Sequence, residues 1–463
     1  MLVAACYRRT PAGRGGNPLP AEGNHRIAVG YLCCDDMDAE ALDNIVCFCV
    51  LHDLPLYVHD DSDSGARNDI NRAISELMSK YKKHVDIIRR ASRQGGKPGA
   101  VNNLVTQLRT AADFLLLCDS DSFLLNAELL GDAVAAFDDF RVALVQFNNI
   151  GYVKTLDSSS YRILAKSIDF YDAFVSFSDR FGWSPFLGHN ALIRLSAFRE
   201  VGGFSPGEFA DDIDFSVKLR LAGYKIRYAR CVVGGERHPL TYTALRRRTA
   251  KWSYGCTQVL LKWAVPILFS GRLAMTEKAS FFLTVAYYHF QVLLLIYLTI
   301  FYLVLPFETS RPIAMNSLVI SGGLILALTF LPSMTYFARH RKLSQWPKIA
   351  LVWGLTYGSQ DFVILRAIVQ CLRRTGLVWV PTNKESADLG ISRFPFLWEV
   401  SFGFLILAIG AWKRPVLLLL PTTALFAGKF LVTPWLDAWM FARTQTRNGE
   451  GLRRAQCRSD VAY

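Results

Sequence analysis

The sequence predicts an α/β domain with a parallel-rich sheet and helices on both faces. An α-helical transmembrane bundle with interfacial amphipathic helices is expected to follow it. Three observations predict this. Short apolar runs alternate with helix-period segments from residue 26 to about 118, the pattern of a parallel sheet covered on both sides. Long apolar runs dominate from about residue 279. Carboxylates cluster at the ends of the early apolar runs, where ligands of such sheets bind.

In order, "RIAVGYL" reads as a strand, "DAEALDNIVCFCVLHD" as a helix and "LPLYVHDD" as a strand. "GARNDINRAISELMSKYKK" reads as a helix with Ile70, Ile74, Leu77, Met78 and Tyr81 on one face. Strands are expected at "HVDIIRR" and "DFLLLCD". Asp35 and Asp36, Asp60 and Asp61, and Asp119 and Asp121 fall at strand ends.

The second half reads differently. Segments 279–307, 315–338, 394–412 and 415–441 are each apolar enough for a membrane span. Residues 346–372 are apolar but carry Lys348, Asp361 and Arg366. They are expected to lie in the interface, with a fifth span as the rival reading. "TQVLLKWAVPILF" (257–269) is too short to span and also reads as interfacial. The basic "ARHRKLSQWPK" and the basic tail 442–463 flank these runs. Four spans would leave both basic segments and the first domain in the cytoplasm of a multi-pass plasma (inner) membrane protein.

Composition agrees. Hydrophobic residues make up 51% of the 463, high for a purely soluble chain. The net charge of +13 suits a partner of anionic membrane lipid. Nucleic acid is excluded as a partner, because no basic stripe is interleaved with aromatics. The ten cysteines show no metal-ligand spacing, and Cys33, Cys34, Cys47 and Cys49 are expected as buried small apolar side chains in a reducing compartment, not as disulfides. Residues 1–25 read as a disordered Gly/Pro-rich lead without the apolar core of a signal peptide.

The chemistry concentrates in a few motifs. In "LLLCDSDSFLL" Asp119 and Asp121 follow a buried strand. Hard oxygens at this spacing suit Mg²⁺ or Mn²⁺, which in turn bridges a diphosphate. Asp60-Asp61 ends the second strand, "GGKPGAVNN" carries Lys97, and "FLGHNALIR" carries Gly188, His189 and Asn190. "ADDIDFSVKLRLAGY" opens a helix with Asp211 and Asp212. "RTAKWSYGCTQ" holds Arg248, Lys251, Trp252, Gly255 and Gln258, and "WVPTNK" holds Thr382 and Lys384.

Taken in this order, these motifs resemble the family 2 processive membrane glycosyltransferases, the group of cellulose synthase, hyaluronan synthase and bacterial glucan glucosyltransferases. The resemblance runs from about residue 26 to about 390. It implies a GT-A glycosyltransferase domain at 26–245, interfacial helices at 246–278 and a transmembrane region at 279–441. A gating-like loop at 377–390 belongs to that region.

The resemblance also implies roles. Asp212 becomes the catalytic base, with Asp211 in place of the usual glutamate and Ala210 in place of Ser/Thr. Asp60, Asp61, Lys97, Asp119, Arg248, Lys251, Thr382 and Lys384 would hold a UDP-sugar donor. Asp119 and Asp121 would hold the metal. Gly188, His189, Asn190, Trp252 and Gln258 would face the sugar acceptor, with Trp252 stacked on it.

Several positions depart from the pattern. Arg248 replaces glutamine, Lys251 arginine, Trp379 phenylalanine and Pro381 valine. "GYLCCDD" lacks the usual P-x-Y-N-E, and no apolar span precedes the α/β domain. A compact version of the architecture is implied.

The expected function is inverting, processive transfer of a hexose, with glucose suggested by "GHNALIR", from a UDP-sugar to a growing β-linked polysaccharide. Transfer is coupled to export, with accessory export proteins as possible partners. The alternatives are single transfer to a lipid or lipid-linked acceptor, and an inactive nucleotide-binding sensor.

Overall fold

A computed structural model describes residues 26–126, 130–152, 175–176, 178–237, 239, 242–304, 344, 346–376, 396–412 and 426–436. The 315–338 span and the 377–390 loop with Thr382 and Lys384 lie outside the described residues, as do the lead and the tail. The described chain forms two compact units. The first takes the described residues up to Tyr152, those from 175 to Arg237, and Tyr254–Ala286. The second takes the described residues within 238–253 and from Tyr287 onward.

The first unit contains β1 (Ile27–Cys33), α1 (Ala39–Leu51), β2 (Leu56–Asp60), α2 (Ser64–Tyr81), β3 (Val85–Ile88), α3 (Gly96–Gln107) and β4 (Phe114–Cys118). The four strands, α1 and α2 match the expected alternation, and α3 is a helix outside that expectation. Next come β5 (Phe123–Leu124), α4 (Leu130–Ala135), β6 (Val142–Tyr152), β7 (Ala191–Arg194), α5 (Leu195–Glu200), α6 (Asp211–Ala222) and β8 (Lys225–Arg237). All eight strands form one sheet in the order β3-β2-β1-β4-β7-β6-β8-β5. Its β3-β2-β1-β4 half is parallel. The other half is mixed, since β7 runs antiparallel to both β4 and β6, while β6 and β8 run parallel.

The burial explains the sequence pattern. Every residue of β1, β2 and β4 is buried, as continuous apolar runs require when both faces are covered. Val29, Leu116 and Cys118 face the core shared with Leu42, Ile45, Ile70 and Ile74 of α1 and α2. Leu115 and Leu117 face the opposite core, with Val101 and Leu104 of α3 and Phe215 and Leu219 of α6. Burying each such side chain stabilises the fold by about 2 kcal/mol.

Asp38 caps α1, its Oδ1 accepting from the Glu40 and Ala41 amides at 2.9 and 3.1 Å. On α2 the expected apolar face is the inward one: Ile70 and Ile74 are buried, and Leu77, Met78 and Tyr81 pack against them. Cys33 and Cys49 are buried, Cys34 is half-buried and Cys47 is exposed.

The first unit reaches past residue 245, the expected end of the catalytic domain. It takes in the second part of α7 (Tyr242–Phe269) and α8 (Met275–Val285). The second unit contains α9 (Tyr287–Val304), α10 (Trp346–Gly358), α11 (Asp361–Leu372), α12 (Leu397–Trp412) and further helical turns within 426–436. Segment 346–372 is therefore two helices. Asp361 heads the second of them, buried, where it accepts from Lys429 Nζ at 2.5 Å and Gln291 Nε2 at 2.7 Å.

Among the described residues no single helix is long and apolar enough to cross a membrane. The 279–307 run, expected as one span, is interrupted at Ala286. Met275–Val285 and Tyr287–Ile300 reach the necessary length and composition only together.

Candidate active site

Three parallel strands end level with one another. Cys33 of β1 pairs with Asp60 of β2, and Tyr31 of β1 pairs with Cys118 of β4. Asp60-Asp61 and Asp119 therefore leave the same sheet edge on either side of β1. The buried Tyr31 hydroxyl donates to the Ser120 carbonyl at 2.7 Å and ties this edge to β1.

Asp119 and Asp121 lie in a tight turn after β4. The Ser122 amide donates to the Asp119 carbonyl at 3.1 Å, and the Asp119 amide donates to Ser122 Oγ at 2.9 Å. Lys97, in the first turn of α3, donates to Asp119 Oδ2 at 2.7 Å and to the Gly188 carbonyl at 3.0 Å. Gly188 has φ +92°, and a Cβ there would lie 3.4 Å from Asp212 Oδ2 and 3.5 Å from Lys97 Nζ. A side chain would be strained at this φ and would touch both groups. Lys97, Asp119, Gly188 and Asp212 thus converge from four separate segments. Burial opposes the charged form of Lys97, but Asp119, Asp211 and Asp212 outweigh it and raise its pKa.

Asp211 and Asp212 occupy the first turn of α6. There the helix dipole favours negative charge. Ala210, standing where the resemblance expects Ser/Thr, makes no side-chain cap.

His189 and Asn190 form the neighbouring wall. His189 is buried, its Nδ1 3.0 Å from Ser122 Oγ and its Nε2 2.8 Å from Glu236. Burial opposes its protonation, but the Glu236 hydrogen bond and the Asp119 charge outweigh that and raise its pKa. Burial also pushes the Asp121 carboxyl up to about 7; His189 opposes the rise, and Glu236, Asp119 and Asp36 add to it. Asn190 Nδ2 donates to Asn149 Oδ1 at 3.2 Å. Gln146 donates to the carbonyls of His189 and Asn190, and its Oε1 accepts from the Leu187 amide at 2.8 Å.

Asp60 and Asp61 have a different setting. Asp60 is fully buried, with Oδ2 accepting from Arg89 Nε at 2.7 Å and Oδ1 from the Ser62 amide at 2.9 Å. Burial works against its ionised form, but the Ser62 and Arg89 contacts outweigh it and hold the carboxyl below its usual range. Asp61 is gripped by Arg90 through Nε at 2.9 Å and Nη2 at 2.5 Å. Asp61, Ser62, Asp63, Arg67, Arg90 and Arg93 line a cavity of about 410 Å³ beyond the end of β2.

Gln258, expected to face the sugar acceptor, binds backbone at 207–209. Its Oε1 accepts from the Phe209 amide at 3.0 Å and its Nε2 donates to the Gly207 carbonyl at 3.3 Å. Arg248, Lys251 and Trp252 belong to the second unit. There the Arg248 guanidinium stacks over the Trp252 ring at 4.6 Å and donates to Tyr357 Oη at 3.1 Å.

Sequence reasoning missed Gln146, Asn149 and Glu236. The usable signal was the polar break in the apolar run "VALVQFNN". Glu236 gave none, because β8 reaches Ser122 only through the pairing of Phe123 with Gly235.

The donor set fits a divalent cation. Asp119 and Asp121 offer hard oxygens, and burial, with Glu236, Asp119 and Asp36 adding to it, raises the Asp121 carboxyl. Among the described residues no three His, Cys, Asp or Glu side chains form a complete cage. Two carboxylates would leave the other coordination positions to phosphate and water, as Mg²⁺ prefers.

Comparison with known proteins agrees with this geometry. Residues 114–339 match the family model described as glycosyl transferase family group 2. The probable glucomannan 4-beta-mannosyltransferase 1 of Arabidopsis thaliana is 26% identical over 257 residues, 55% of this chain and 46% of that protein. Glucomannan 4-beta-mannosyltransferase 7 of the same plant is 24% identical over 356 residues, 75% of this chain and 62% of that protein. The chain therefore spans about half to three-fifths of the length of these relatives.

Among solved structures, the mannosyltransferase PcManGT from Pyrobaculum calidifontis, in complex with GDP-Man and Mn²⁺, superposes with a TM-score of 0.54 at 17% identity. The superposition covers 79% of this chain and 92% of that one. Residues 114–339 thus resemble glycosyl transferase family group 2, and the likeness to the archaeal structure is one of fold, GT-A-like.

Proposed function

We propose that this chain transfers a mannosyl unit from a nucleotide-sugar, GDP-mannose in the first instance, to a growing β-linked polysaccharide. Mannose takes the place of the glucose expected from the sequence, because the plant relatives are named as mannosyltransferases. The guanine nucleotide, in place of the expected UDP-sugar, follows the ligand named for the archaeal neighbour. The observation that carries the proposal is the convergence of Lys97, Asp119, Gly188 and Asp212.

In this reading the diphosphate lies beside Lys97 and Asp119. A divalent cation on Asp119 and Asp121 supplies positive charge to the leaving group when bound. Asp212 takes the proton of an acceptor hydroxyl as its oxygen bonds to the anomeric carbon. The bond from that carbon to the diphosphate oxygen breaks, and the nucleoside diphosphate leaves. One displacement on an α-linked donor gives a β-linked product. Lys97 steadies the diphosphate charge and holds the Gly188 carbonyl, so Gly188 leaves open space beside Asp212.

A membrane-bound, polymer-exporting enzyme with its catalytic domain in the cytoplasm remains part of the proposal. It rests on the apolar runs and basic flanks of the second half.

The test is a panel of GDP-mannose, GDP-glucose and UDP-glucose with Mn²⁺ or Mg²⁺, followed by linkage and length analysis of the product. GDP-mannose is expected to give β-linked polymer. A single added sugar per acceptor would replace polymerisation by single transfer, and release of UDP from UDP-glucose alone would restore the glucose reading.

A further inference from the structure

We propose that the part of α7 from Gly255 to Trp263 is a clamp that positions the catalytic base. The inference rests on the reading of Asp212 as that base. Asp212 stands at the start of α6, just after the irregular segment 204–210. A base at the end of such a segment needs an external hold to keep its carboxylate aimed at the reacting hydroxyl.

Three side chains of α7 supply one. Gln258 binds the backbone before the base, through the Phe209 amide and the Gly207 carbonyl. Lys262, one turn on, donates to Glu208 at 2.9 Å and to Asp214 Oδ1 at 2.7 Å. Trp263 Nε1 donates to the same Asp214 oxygen at 2.7 Å. The clamp therefore grips both sides of Asp212 along the chain.

Two further features point the same way. Asp212 and Asp214 are two residues apart, roughly 200° around the helix. Asp214 therefore anchors the face of α6 opposite the one that Asp212 presents to Gly188. Asp214 is fully buried, and its Oδ2 has no hydrogen-bond partner among the described residues. A buried carboxylate held by one oxygen is a poor way to fill space, but it takes two directed bonds from α7. Gly255 lets the helices close: a Cβ there would lie 2.5 Å from the Ala210 amide nitrogen. Gln258, Lys262 and Trp263 are thus positioning residues acting through Asp212, and the conformation of 207–214 is what they control.

The test uses the full chain and initial-rate kinetics at varied GDP-mannose. Trp263→Phe keeps the ring and removes the N–H. Lys262→Met keeps the length and removes the charge. Each is expected to lower kcat at least tenfold with the donor KM within twofold of the parent, because Lys97 and Asp119 are untouched. Lys262→Arg is expected to recover kcat to within threefold. Thermal midpoints are recorded alongside, and Trp263→Phe decides the matter if Lys262→Met does not fold. A kcat within twofold of the parent in Trp263→Phe, or a loss confined to KM, overturns the clamp. A parent that transfers no sugar, with or without Asp212→Asn as control, overturns the proposed function and the clamp with it. An active parent with active variants overturns the clamp alone.

Discussion

Two aspartate pairs leave the same edge of one sheet, on either side of β1, and their settings are opposite. At the end of β2, Asp60 and Asp61 are matched by Arg89 and Arg90. Close by, Asp35 and Asp63 are matched by Arg93. Charge there is balanced inside the fold, and the Asp60 carboxyl is held low. At the end of β4, Asp119 shares Lys97 with the nearby Asp211 and Asp212, and the Asp121 carboxyl is pushed up to about 7. There burial is the main reason for the rise, and neighbouring carboxylates add to it. The same two letters at the end of a buried strand thus build a structural ion-pair network in one place and the proposed cation site in the other. The deciding factor is which basic residues the neighbouring segments bring.

This contrast is open to direct attack. The largest expected effect is from Asp212→Asn, the proposed base beside the β4 end. It should lower the sugar-transfer rate by about 10²- to 10⁴-fold, with an unchanged far-UV spectrum. A rate near the parent's would remove Asp212 from the chemistry.

Next, Asp121→Asn and Asp119→Asn should each weaken Mn²⁺ binding by about tenfold or more, as loss of one hard-oxygen ligand implies. Calorimetric titration with Mn²⁺ alone measures this, and Asp61→Asn should bind the ion as the parent does. Equal losses in all three would erase the distinction between the two ends.

Third, Asp61→Asn should instead cost stability, about 3 kcal/mol by urea unfolding, because it strands the Arg90 guanidinium in a largely buried pair. An unchanged unfolding midpoint would show that the β2 end is not the structural one.

The smallest expected effect is on pH. Asp60 has a folded pKa below its unfolded value of roughly 3.9. Its contribution is therefore complete above that value and is lost as pH falls through the folded pKa. The stability gap between the parent and Asp60→Asn should be constant from pH 7 to 5 and shrink below about pH 4. A gap that persists at pH 3 would mean that Asn is penalised for its shape and not for its charge.

Much of the site was legible before the structure. Asp119, Lys97, Gly188 and Asp212 stood in recognisable local contexts, and the structure brings them together. Gln258 was legible as part of a motif but not in its contacts. Nothing in "WSYGCTQ" says that its amide would grip the backbone at 207–209. Glu236 was invisible because it lies 47 residues from its partner His189.

The sequence by itself determined β1 to β4, α1 and α2, the inward face of α2 and the acidic strand ends. Apolar period and helix caps act over a few residues and survive in any context. Only the tertiary structure decided the antiparallel placement of β7, the long pairing of β6 with β8, and which charged groups meet at each strand end. Strand order and charge balance depend on residues far apart in the chain. Arg89 and Arg90 reach Asp60 and Asp61 because β3 lies beside β2, and Lys97 reaches Asp119 because α3 begins beside β4. An aspartate in a sequence carries its charge with it, but its neighbours fix what that charge is for.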